Sequence, residues 1–286
     1  MKNTLITNDL LSELQWKQVV SLGHLCEIHD HFYTKIYPNI IKNKRLCKSN
    51  FLLYKDNMLV SYLSFFQFEP DAVYIAAITH PDYRNKGLFN KLFSEAKTTI
   101  QSLGYSKILF TISGKNIFLK SYFRNHSAKY LRSEFHMIRR DKQQEIIPSP
   151  TLSLKLADKN DIEQLALLDS RCFDTNYVTM LERFRHTLQE NQRRSYLAIV
   201  NNIAIGKAHV HFQDELVLIH DICILPDWQN QSYGTQLIKL IVNLLIEEGY
   251  CETHLDVIAN NDSAIKIYQK CHFKVSEEYE VWGLGN

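Results

Sequence analysis

The sequence predicts an α/β fold that occurs twice, in two tandem domains. The string Pro-Asp-Tyr-Arg-Asn at 81–85 returns 145 residues later as Pro-Asp-Trp-Gln-Asn at 226–230. The same offset, without a gap, relates three further pairs: Asn57 and Asn202, Gly104 and Gly249, Asn116 and Asn261. A period of this length is that of a globular domain, not of a solenoid repeat. Each copy is therefore expected to have its own core.

The composition is that of ordinary globular domains. Hydrophobic residues make up 45% and aromatic residues 12% of the chain, and only 9 glycines and 6 prolines are present, which argues against low complexity. The N-terminal segment MKNTLITNDLLSELQWKQ lacks the apolar run of a signal peptide, and no stretch has the length of a membrane helix. We therefore expect a cytoplasmic protein with no membrane partner.

Charge and cysteine content argue against two further classes. The 33 Lys and Arg residues balance 31 Asp and Glu residues without long basic runs, so we expect no nucleic-acid partner. The six cysteines form no Cys-x-x-Cys pair and have no zinc-type spacing to histidine, so we expect reduced thiols and no metal site. Small-molecule or peptide substrates fit these properties better.

The first copy, 1–140, shows alternating helix and strand patterns. A helix over about 8–29 is expected to be capped by Asn8 or Asp9, and a hairpin over 51–68 is expected to turn at Lys55-Asp56-Asn57. The further elements are a strand at 73–79, a helix at 88–103 ended by Gly104, a strand at 107–112, a helix at 117–124 and a strand at 130–138. Pro148 and Pro150 mark a linker over 141–151.

The second copy, 152–286, repeats this order. Its expected strands are 152–156, 196–200, 203–212, 216–225, 253–258 and 273–282, and its expected helices are 160–172, 180–190, 235–248 and 262–270. The helix at 235–248 is apolar on most sides, which predicts that it is packed on more than one side. Hairpins followed by alternating strands and helices are typical of an α/β domain with a mixed sheet.

The repeated string lies where an apolar strand passes through a turn into a helix. Consecutive backbone N–H groups at the positive end of a helix dipole form a concavity that suits a phosphate. The turns are Arg84-Asn85-Lys86-Gly87-Leu88-Phe89 and Gln229-Asn230-Gln231-Ser232-Tyr233-Gly234. Neither is a P-loop or a dinucleotide-binding Gly-x-Gly-x-x-Gly motif. A plain strand-to-helix turn is the alternative for one such motif taken alone.

The two turns and their surroundings resemble the GCN5-related N-acetyltransferase (GNAT) superfamily. Its turn has the pattern Arg/Gln-x-x-Gly-x-Gly/Ala and binds the pyrophosphate of acetyl-CoA. The resemblance extends over 152–282 and, less closely, over 10–139. It implies two GNAT-like domains, each a mostly antiparallel mixed sheet with a splayed strand pair and flanking helices. It also implies acetyl-CoA as co-substrate and makes 152–286 the catalytic domain, with 1–140 degenerate or accessory.

The resemblance assigns a cofactor site to the second copy and a secondary one to the first. The former comprises Ile222, Cys223, Ile224, Gln229, Asn230, Gln231, Ser232, Tyr233, Gly234, Thr235, Asn261 and Tyr268. The latter comprises Ala77, Ile78, Thr79, Arg84, Asn85, Lys86, Gly87, Leu88 and Phe89.

Each copy departs from the family pattern at a different glycine. The second copy has Ser232 at the first glycine position and keeps Gly234, whereas the first keeps Gly87 and has Phe89 at the second position. We expect the Phe89 side chain to point away from the cofactor. Phe123 stands where the second copy has Tyr268, and it has no proton to donate.

Acyl transfer from a thioester to an amine requires a deprotonated amine, a polarised carbonyl oxygen and a protonated or stabilised thiolate. By resemblance, Tyr268 is the general acid, and it follows Asn261 by seven residues. Candidate bases are His220 and Asp221 on the strand before the turn and Asp256 on the strand after the helix.

Each candidate has a structural alternative. His220 fits a hydrogen-bonded structural histidine, and Asp221, expected on the opposite strand face, fits a carboxylate that binds only backbone or solvent. Tyr268 fits a core aromatic. His209 and His211 share a face, where they either line an acceptor pocket or are exposed.

The sequence therefore predicts an acetyltransferase that acts on a primary amine of a small molecule or peptide. The alternatives are an aminoacyl or other acyl transferase of the same superfamily, and a CoA-binding regulatory pair without catalysis. The acceptor and the oligomeric state are left open.

Overall fold

Two units of the chain fold around separate cores in the computed structural model, which describes residues 3–69, 71–147, 150–213 and 216–285. Unit 1 comprises Met1–Glu134 and Glu277–Asn286, and unit 2 comprises Phe135–Ser276. The predicted linker 141–151 includes Pro148 and residue 149, which lie outside the described residues.

The elements follow the predicted order with two additions. In the first half of the chain they are β1 Asn3–Asn8, α1 Glu13–Asp30, α2 Pro38–Ile41, β2 Asn50–Lys55, β3 Met58–Glu69, β4 Ala72–Thr79, α3 Leu88–Ser102, β5 Lys107–Ser113, α4 Ile117–Asn125 and β6 Lys129–Arg140. In the second half they are β7 Ser153–Leu156, α5 Ile162–Phe173, α6 Tyr177–Thr187, β8 Arg193–Val200, β9 Ile203–Gln213, β10 Leu216–Ile224, α7 Tyr233–Glu247, β11 Glu252–Ile258, α8 Asp262–Lys270 and β12 Lys274–Gly285. The additions are β1 and α2.

The strand order within unit 1 is β1-β2-β3-β4-β5-β12, and within unit 2 it is β6-β11-β10-β9-β8-β7. The repeated sequence copies and the two compact units therefore have different boundaries. The residues of β6 and of β12 are divided between the two units. The last segment of the chain pairs antiparallel with β5, from Tyr279 opposite Ser113 to Gly285 opposite Lys107. Val281 and Trp282 are buried there in the core of unit 1.

Helices cover both faces of the unit 1 sheet. Their buried residues are Val19, Leu22 and Cys26 of α1 and Leu92, Ala96 and Ile100 of α3. Along β4, Ala76 and Ile78 pack on the α1 side and Ile75 packs on the α3 side, as the two-residue period of a strand dictates. In unit 2, α7 contributes five buried residues to one core cluster, and α5 and α6 belong to another.

The strand pair that flanks each turn is parallel and paired only near its start. In unit 1 the pairs between β4 and β5 run from Ala72 opposite Lys107 to Ile75 opposite Phe110. In unit 2 those between β10 and β11 are Val217 with Thr253 and Leu218 with His254. The two strands then diverge towards the turn, as the splayed pair of the predicted fold requires.

The N-terminal helix begins later than the sequence pattern indicated. Asn8 ends strand β1 and so is not the helix cap, and Asp9 is not the cap either. The cap is Ser12, whose hydroxyl accepts from the Gln15 backbone while the Gln15 side chain accepts from the Ser12 backbone. This reciprocal capping box satisfies two helix N-terminal donors, which explains why it fixes the helix start.

Candidate functional site

The turns after β4 and β10 have the same backbone conformation. Asn85 and Asn230 have φ of 58° and 59°, and Gly87 and Ser232 have φ of 72° and 66°. This left-handed conformation is free for Gly87, whereas it costs a residue with a side chain about 1–2 kcal/mol. Ser232 therefore adopts the glycine geometry, and α3 and α7 begin in the same way.

Side chains of each turn bind backbone carbonyls a few residues before it. Arg84 Nε donates to the Thr79 carbonyl at 3.1 Å, and Gln229 Nε2 donates to the Ile224 carbonyl at 2.9 Å. Lys86 and Gln231 likewise donate to the carbonyls of Asp82 and Asp227, just before the turns. These bonds hold the loop, and the backbone N–H groups at the helix start suit a phosphate.

A cavity of about 820 Å³ lies between the diverging strands of unit 1. This volume falls within the range of about 300–1,000 Å³ that small-molecule and cofactor sites occupy. Its lining includes these members of the predicted secondary site: Ala77, Ile78, Thr79, Arg84, Asn85, Gly87, Leu88 and Phe89. Asn116 and Phe123 also line it. The first copy thus combines the phosphate-type turn with a cavity of cofactor size.

Phe89 is one of the residues that line the cavity, and its ring is held in an aromatic cluster on α3 and α4. The ring stacks on Phe93 at 5.6 Å and meets Tyr122 edge-on at 6.3 Å. The orientation of this side chain relative to a bound cofactor stays a prediction. Tyr122, which also lines the cavity, donates its hydroxyl to Asn90 Oδ1 at 3.1 Å.

An ion pair joins the turn of unit 1 to the end of α1. Arg84 donates to both carboxylate oxygens of Asp30, at 2.6 and 2.8 Å, and the His29 ring contacts the same carboxylate at 2.9 Å. Burial acts to raise the pKa of Asp30, but hydrogen bonds from Arg84 and His29 outweigh it and hold the pKa below its ordinary value. Asp30 is therefore a fixed anion, and its role was not predicted from the sequence.

Unit 2 has a pocket of about 10 Å³ away from its turn. Its lining residues are Arg183, Phe184, Thr187, Arg193, Ser195, His209 and His220. His220 is the member of the predicted site found there. A volume of this size holds about one water molecule.

His220 and Asp221 meet at a bulge in β10, and they do not lie on opposite faces as predicted. The pairing of β10 with β9 shifts register between His220 and Cys223, and Asp221 has φ of 49°. His220 Nδ1 consequently lies 3.3 Å from the Asp221 carboxylate. Burial opposes ionisation of Asp221, but His220, Lys207 and His209 outweigh it and hold its pKa well below the ordinary range. A carboxylate so strongly held is a weak base.

A buried polar cluster in unit 2 surrounds Lys207, which sequence reasoning missed. The Lys207 ammonium is fully buried and lies 2.7 Å from an Asp169 oxygen and 2.8 Å from His209 Nε2. Because the ammonium donates to Nε2, the opposite ring nitrogen carries the proton and donates to Ser195 Oγ at 2.7 Å. Burial and the neighbouring Lys207 lower the pKa of His209, which stays neutral. His209 and His211 are both buried, so neither is an exposed histidine.

The remaining predicted catalytic residues have partners inside unit 2. Asp256 on β11 lies 2.8 Å from His136 Nδ1. Tyr268 is buried in the main core of unit 2, and burial raises the pKa of its hydroxyl to about 12, so it stays protonated at neutral pH. Asn261 caps α8 by accepting from the Ala264 backbone, as Asn116 caps α4.

The other predicted cofactor residues of unit 2 take varied positions. Gly234 lies so close to α8 that a Cβ would stand 3.0 Å from Ile267 Cδ1. Tyr233 packs near Trp228, with ring centroids 5.9 Å apart. Ile222 is half-buried against the main core, Cys223 and Ile224 are buried, Asn230 and Gln231 are exposed, and the Thr235 carbonyl accepts from Cys271 Sγ at 4.0 Å. A hydrogen bond with Cys172 and burial raise the pKa of the Cys223 thiol.

Comparison with known proteins gives a family for the second copy and a fold for the whole chain. Residues 162–273 match the acetyltransferase (GNAT) family, whereas no curated protein matches the sequence. A GCN5-related N-acetyltransferase from Sphaerobacter thermophilus is similar over 99% of this chain and 95% of its own, with a TM-score of 0.83 and 13% identity. A tandem GNAT protein from the clavulanic acid biosynthesis pathway is similar over 99% of this chain and 98% of its own, with a TM-score of 0.76 and 12% identity.

The match of residues 162–273 to the GNAT family, together with the fold, indicates an acyltransferase of the GNAT type. The fold of the whole chain is similar to that of the tandem GNAT protein. Within the described ranges, no helix is long and apolar enough to cross a membrane. Over the same ranges, His, Cys, Asp and Glu side chains form no group of three or more suited to a metal ion.

Proposed function

We propose that the protein is an N-acetyltransferase that transfers acetyl from acetyl-CoA to a primary amine of a small molecule or peptide. The observation that carries this proposal is the cavity of about 820 Å³ in unit 1, with the phosphate-type turn among its lining. The cytoplasmic location expected from the sequence stays a prediction.

The residues of unit 1 fit acetyl-CoA in two respects. A Cβ built on Gly87 would meet no heavy atom of the described residues within 4 Å, which leaves room for a pyrophosphate at the start of α3. Ile75, Ala77 and Phe110 give the space between β4 and β5 an apolar lining suited to the pantetheine arm. We therefore propose that unit 1 binds the donor.

This location differs from the sequence-based hypothesis, in which 152–286 is the catalytic domain. That hypothesis keeps Tyr268 as the general acid and Asp256, His220 or Asp221 as the base, and it stays a prediction. In its favour, Phe123 of unit 1 has no proton for a leaving thiolate. Against it, the 10 Å³ pocket of unit 2 does not include the turn.

A matched pair of substitutions distinguishes the two units. Gly87→Trp and Ser232→Trp place the same side chain at equivalent left-handed positions, and Ser232 is exposed. If unit 1 binds the donor, Gly87→Trp weakens acetyl-CoA binding at least tenfold, about 1.4 kcal/mol or more, by blocking the phosphate position. Ser232→Trp leaves the affinity unchanged. Isothermal titration calorimetry measures both, with thermal melts as the control for folding.

The reverse result would move the donor site to unit 2. An absence of acetyl-CoA binding in the unsubstituted protein would contradict the proposed activity altogether. A thiol-release assay over an amine library then tests transfer. Binding without release for any amine would favour the alternative of a CoA-binding regulatory pair.

A further inference from the structure

Two cysteines of unit 2 meet where helix α5 packs against strand β10. Cys172 is half-buried near the end of α5, and Cys223 is buried at the bulge of β10. Cys223 belongs to the apolar cluster formed with α5 and α6, and Cys172 packs against the same cluster. Both are free thiols, and a hydrogen bond joins them. No Cys-x-x-Cys spacing marks this pair in the sequence, so only the fold brings it together.

The buried Lys207 ammonium binds both segments that carry these cysteines. On α5 it lies 2.7 Å from an oxygen of Asp169, which stands one helical turn before Cys172. On β10 it donates to the carbonyl of Asp221 at 3.1 Å, two residues before Cys223. Lys207 is also the residue opposite Cys223 in the pairing of β9 with β10. These contacts hold the end of α5 against β10 and place a positive charge near the two sulfurs.

The two thiols differ in reactivity. The hydrogen bond from Cys223 lowers the pKa of Cys172 below the ordinary value of a thiol, and the charge of Lys207 adds to this shift, although burial opposes it. The same hydrogen bond and burial raise the pKa of Cys223, which keeps its proton. Since the thiolate is the nucleophile, Cys172 is the more reactive thiol, and its half-buried position admits a small reagent.

From this geometry we propose that Cys172 and Cys223 form a redox site at which a hydroperoxide oxidises the pair to a disulfide. The Cys172 thiolate attacks a peroxide oxygen, an S–O bond forms, the O–O bond breaks, and the leaving oxygen takes a proton. The Cys223 sulfur then displaces the hydroxyl group of the Cys172 sulfenic acid. The S–S bond forms, and the hydroxyl group leaves with the Cys223 proton as water. The two sulfurs lose two electrons in all, and the peroxide gains them.

The disulfide would tie the end of α5 to the bulge of β10. It would close a loop of about 50 residues that contains α6, β8 and β9, which restricts the unfolded chain and stabilises the folded protein. A thiol reductant reverses the bond by exchange. The cytoplasmic location expected from the sequence fits a disulfide of this reversible kind.

Mass spectrometry after treatment with one equivalent of hydrogen peroxide tests for the bond. Trypsin cleaves after Lys and Arg, so Cys172 falls in peptide 172–183 and Cys223 in peptide 208–239, each with a single cysteine. We expect these two peptides to be joined, and the number of free thiols to fall from six to four. Dithiothreitol should restore all six. The pair should react about tenfold faster, or more, than the other four cysteines.

Three serine variants define the role of each thiol. Cys223→Ser should stop the reaction at the sulfenic acid, which dimedone labels on Cys172, and Cys172→Ser should abolish the joined peptides. Cys251→Ser is the matched control, since Cys251 is also a half-buried cysteine of unit 2, and it should leave the joined peptides unchanged. Thermal melts of the reduced variants check their folding. Oxidation should raise the melting temperature of the unsubstituted protein by about 4 °C or more and should not raise that of Cys172→Ser.

Three outcomes would overturn this redox site. One is that peptides 172–183 and 208–239 stay separate after oxidation, or that Cys172 is joined to a different cysteine. Another is a covalent dimer on non-reducing electrophoresis in place of the internal bond. The third is dimedone labelling of Cys47 or Cys251 as fast as that of Cys172 in the Cys223→Ser variant. These measurements use no acetyl-CoA, so their outcome is independent of the proposed acetyltransferase activity.

Discussion

At the residue scale, the Asp30–Arg84 pair links the end of α1 to the turn after β4. The sequence identified Arg84 from the repeated motif, but Asp30 lies outside both repeated strings. From sequence patterns alone, an aspartate near a helix C-terminus is predicted to be an ordinary surface residue. The pairing depends on how α1 packs over β4, which no local pattern encodes.

The shifted pKa of Asp30 predicts a pH-dependent stability difference. Because its folded pKa lies below the unfolded value of about 3.9, its contribution is complete above that value and is lost as pH falls through the folded pKa. Asp30→Asn should therefore lower the free energy of unfolding by about 1–3 kcal/mol at pH 7. The difference between variant and unsubstituted protein should shrink below about pH 4.

Urea unfolding at several pH values measures this effect. Asp82→Asn is a suitable control because the Asp82 side chain is 85% exposed. It should change stability by no more than about 0.5 kcal/mol at any pH. An Asp30→Asn penalty that is equally large at low pH would show that the carboxylate charge is not its cause.

The predicted bases show why residue roles are harder to predict than motifs. Strand alternation placed His220 and Asp221 on opposite faces, and the bulge in β10 brought them together. A bulge inserts one residue into a ladder and resets the alternation after it. The burial of Lys207 was likewise not predicted, since a lysine in a strand pattern usually indicates a solvent-facing position.

At the element scale, hydrophobic periodicity and turn residues predicted nearly every helix and strand. The Asn57 and Asn202 turns both have the positive φ that short hairpins require. Strand β1 was missed because its six residues, NTLITN, show no clear alternation. Its existence depends on pairing with β2, from Asn3 opposite Lys55 to Asn8 opposite Asn50.

The close approach of β9 to β10 predicts a strong effect at Gly206. A Cβ at this position would stand 2.3 Å from the Cys223 carbonyl oxygen and 2.6 Å from Ile224 Cδ1. Because a backbone atom would have to move, Gly206→Ala should lower the free energy of unfolding by about 2–4 kcal/mol.

Gly104→Ala provides the comparison, since Gly104 has φ of 80° and no heavy atom of the described residues within 4 Å of a built Cβ. Its cost should be limited to about 1–2 kcal/mol of backbone strain. Denaturant unfolding measures both variants. Equal losses of stability in the two variants would show that crowding of the Gly206 Cβ against Cys223 and Ile224 does not destabilise the fold.

At the scale of the whole molecule, the duplication was evident in the sequence, but the membership of β12 was not. The apolar pattern around Val281 and Trp282 predicts a buried strand whichever neighbour it pairs with. The sequence-based division into 1–140 and 152–286 stays a prediction about the repeated copies. The compact units instead give residues 277–286 to the N-terminal core.

A pair of substitutions on this one strand tests that assignment. Val281→Asp buries a charge in the core of unit 1, since Val281 is fully buried. It should destabilise unit 1 by about 3 kcal/mol or more and abolish acetyl-CoA binding there. Val275→Asp, at a position 45% exposed in unit 2, should leave binding unchanged. Acetyl-CoA binding that survives Val281→Asp would show that β12 is dispensable for the cavity.

The pairing of Phe110 with Trp282 also orders events during synthesis on the ribosome. Unit 2 is one continuous segment and can fold once residue 276 has left the exit tunnel. Strand β5 can complete its pairing with β12 only after residues 277–285 have been synthesised. Pairing between segments so distant in the sequence slows folding. During this interval β5 is an open template for other strands. A nascent chain stalled before residue 277 should therefore depend on a chaperone that covers this edge.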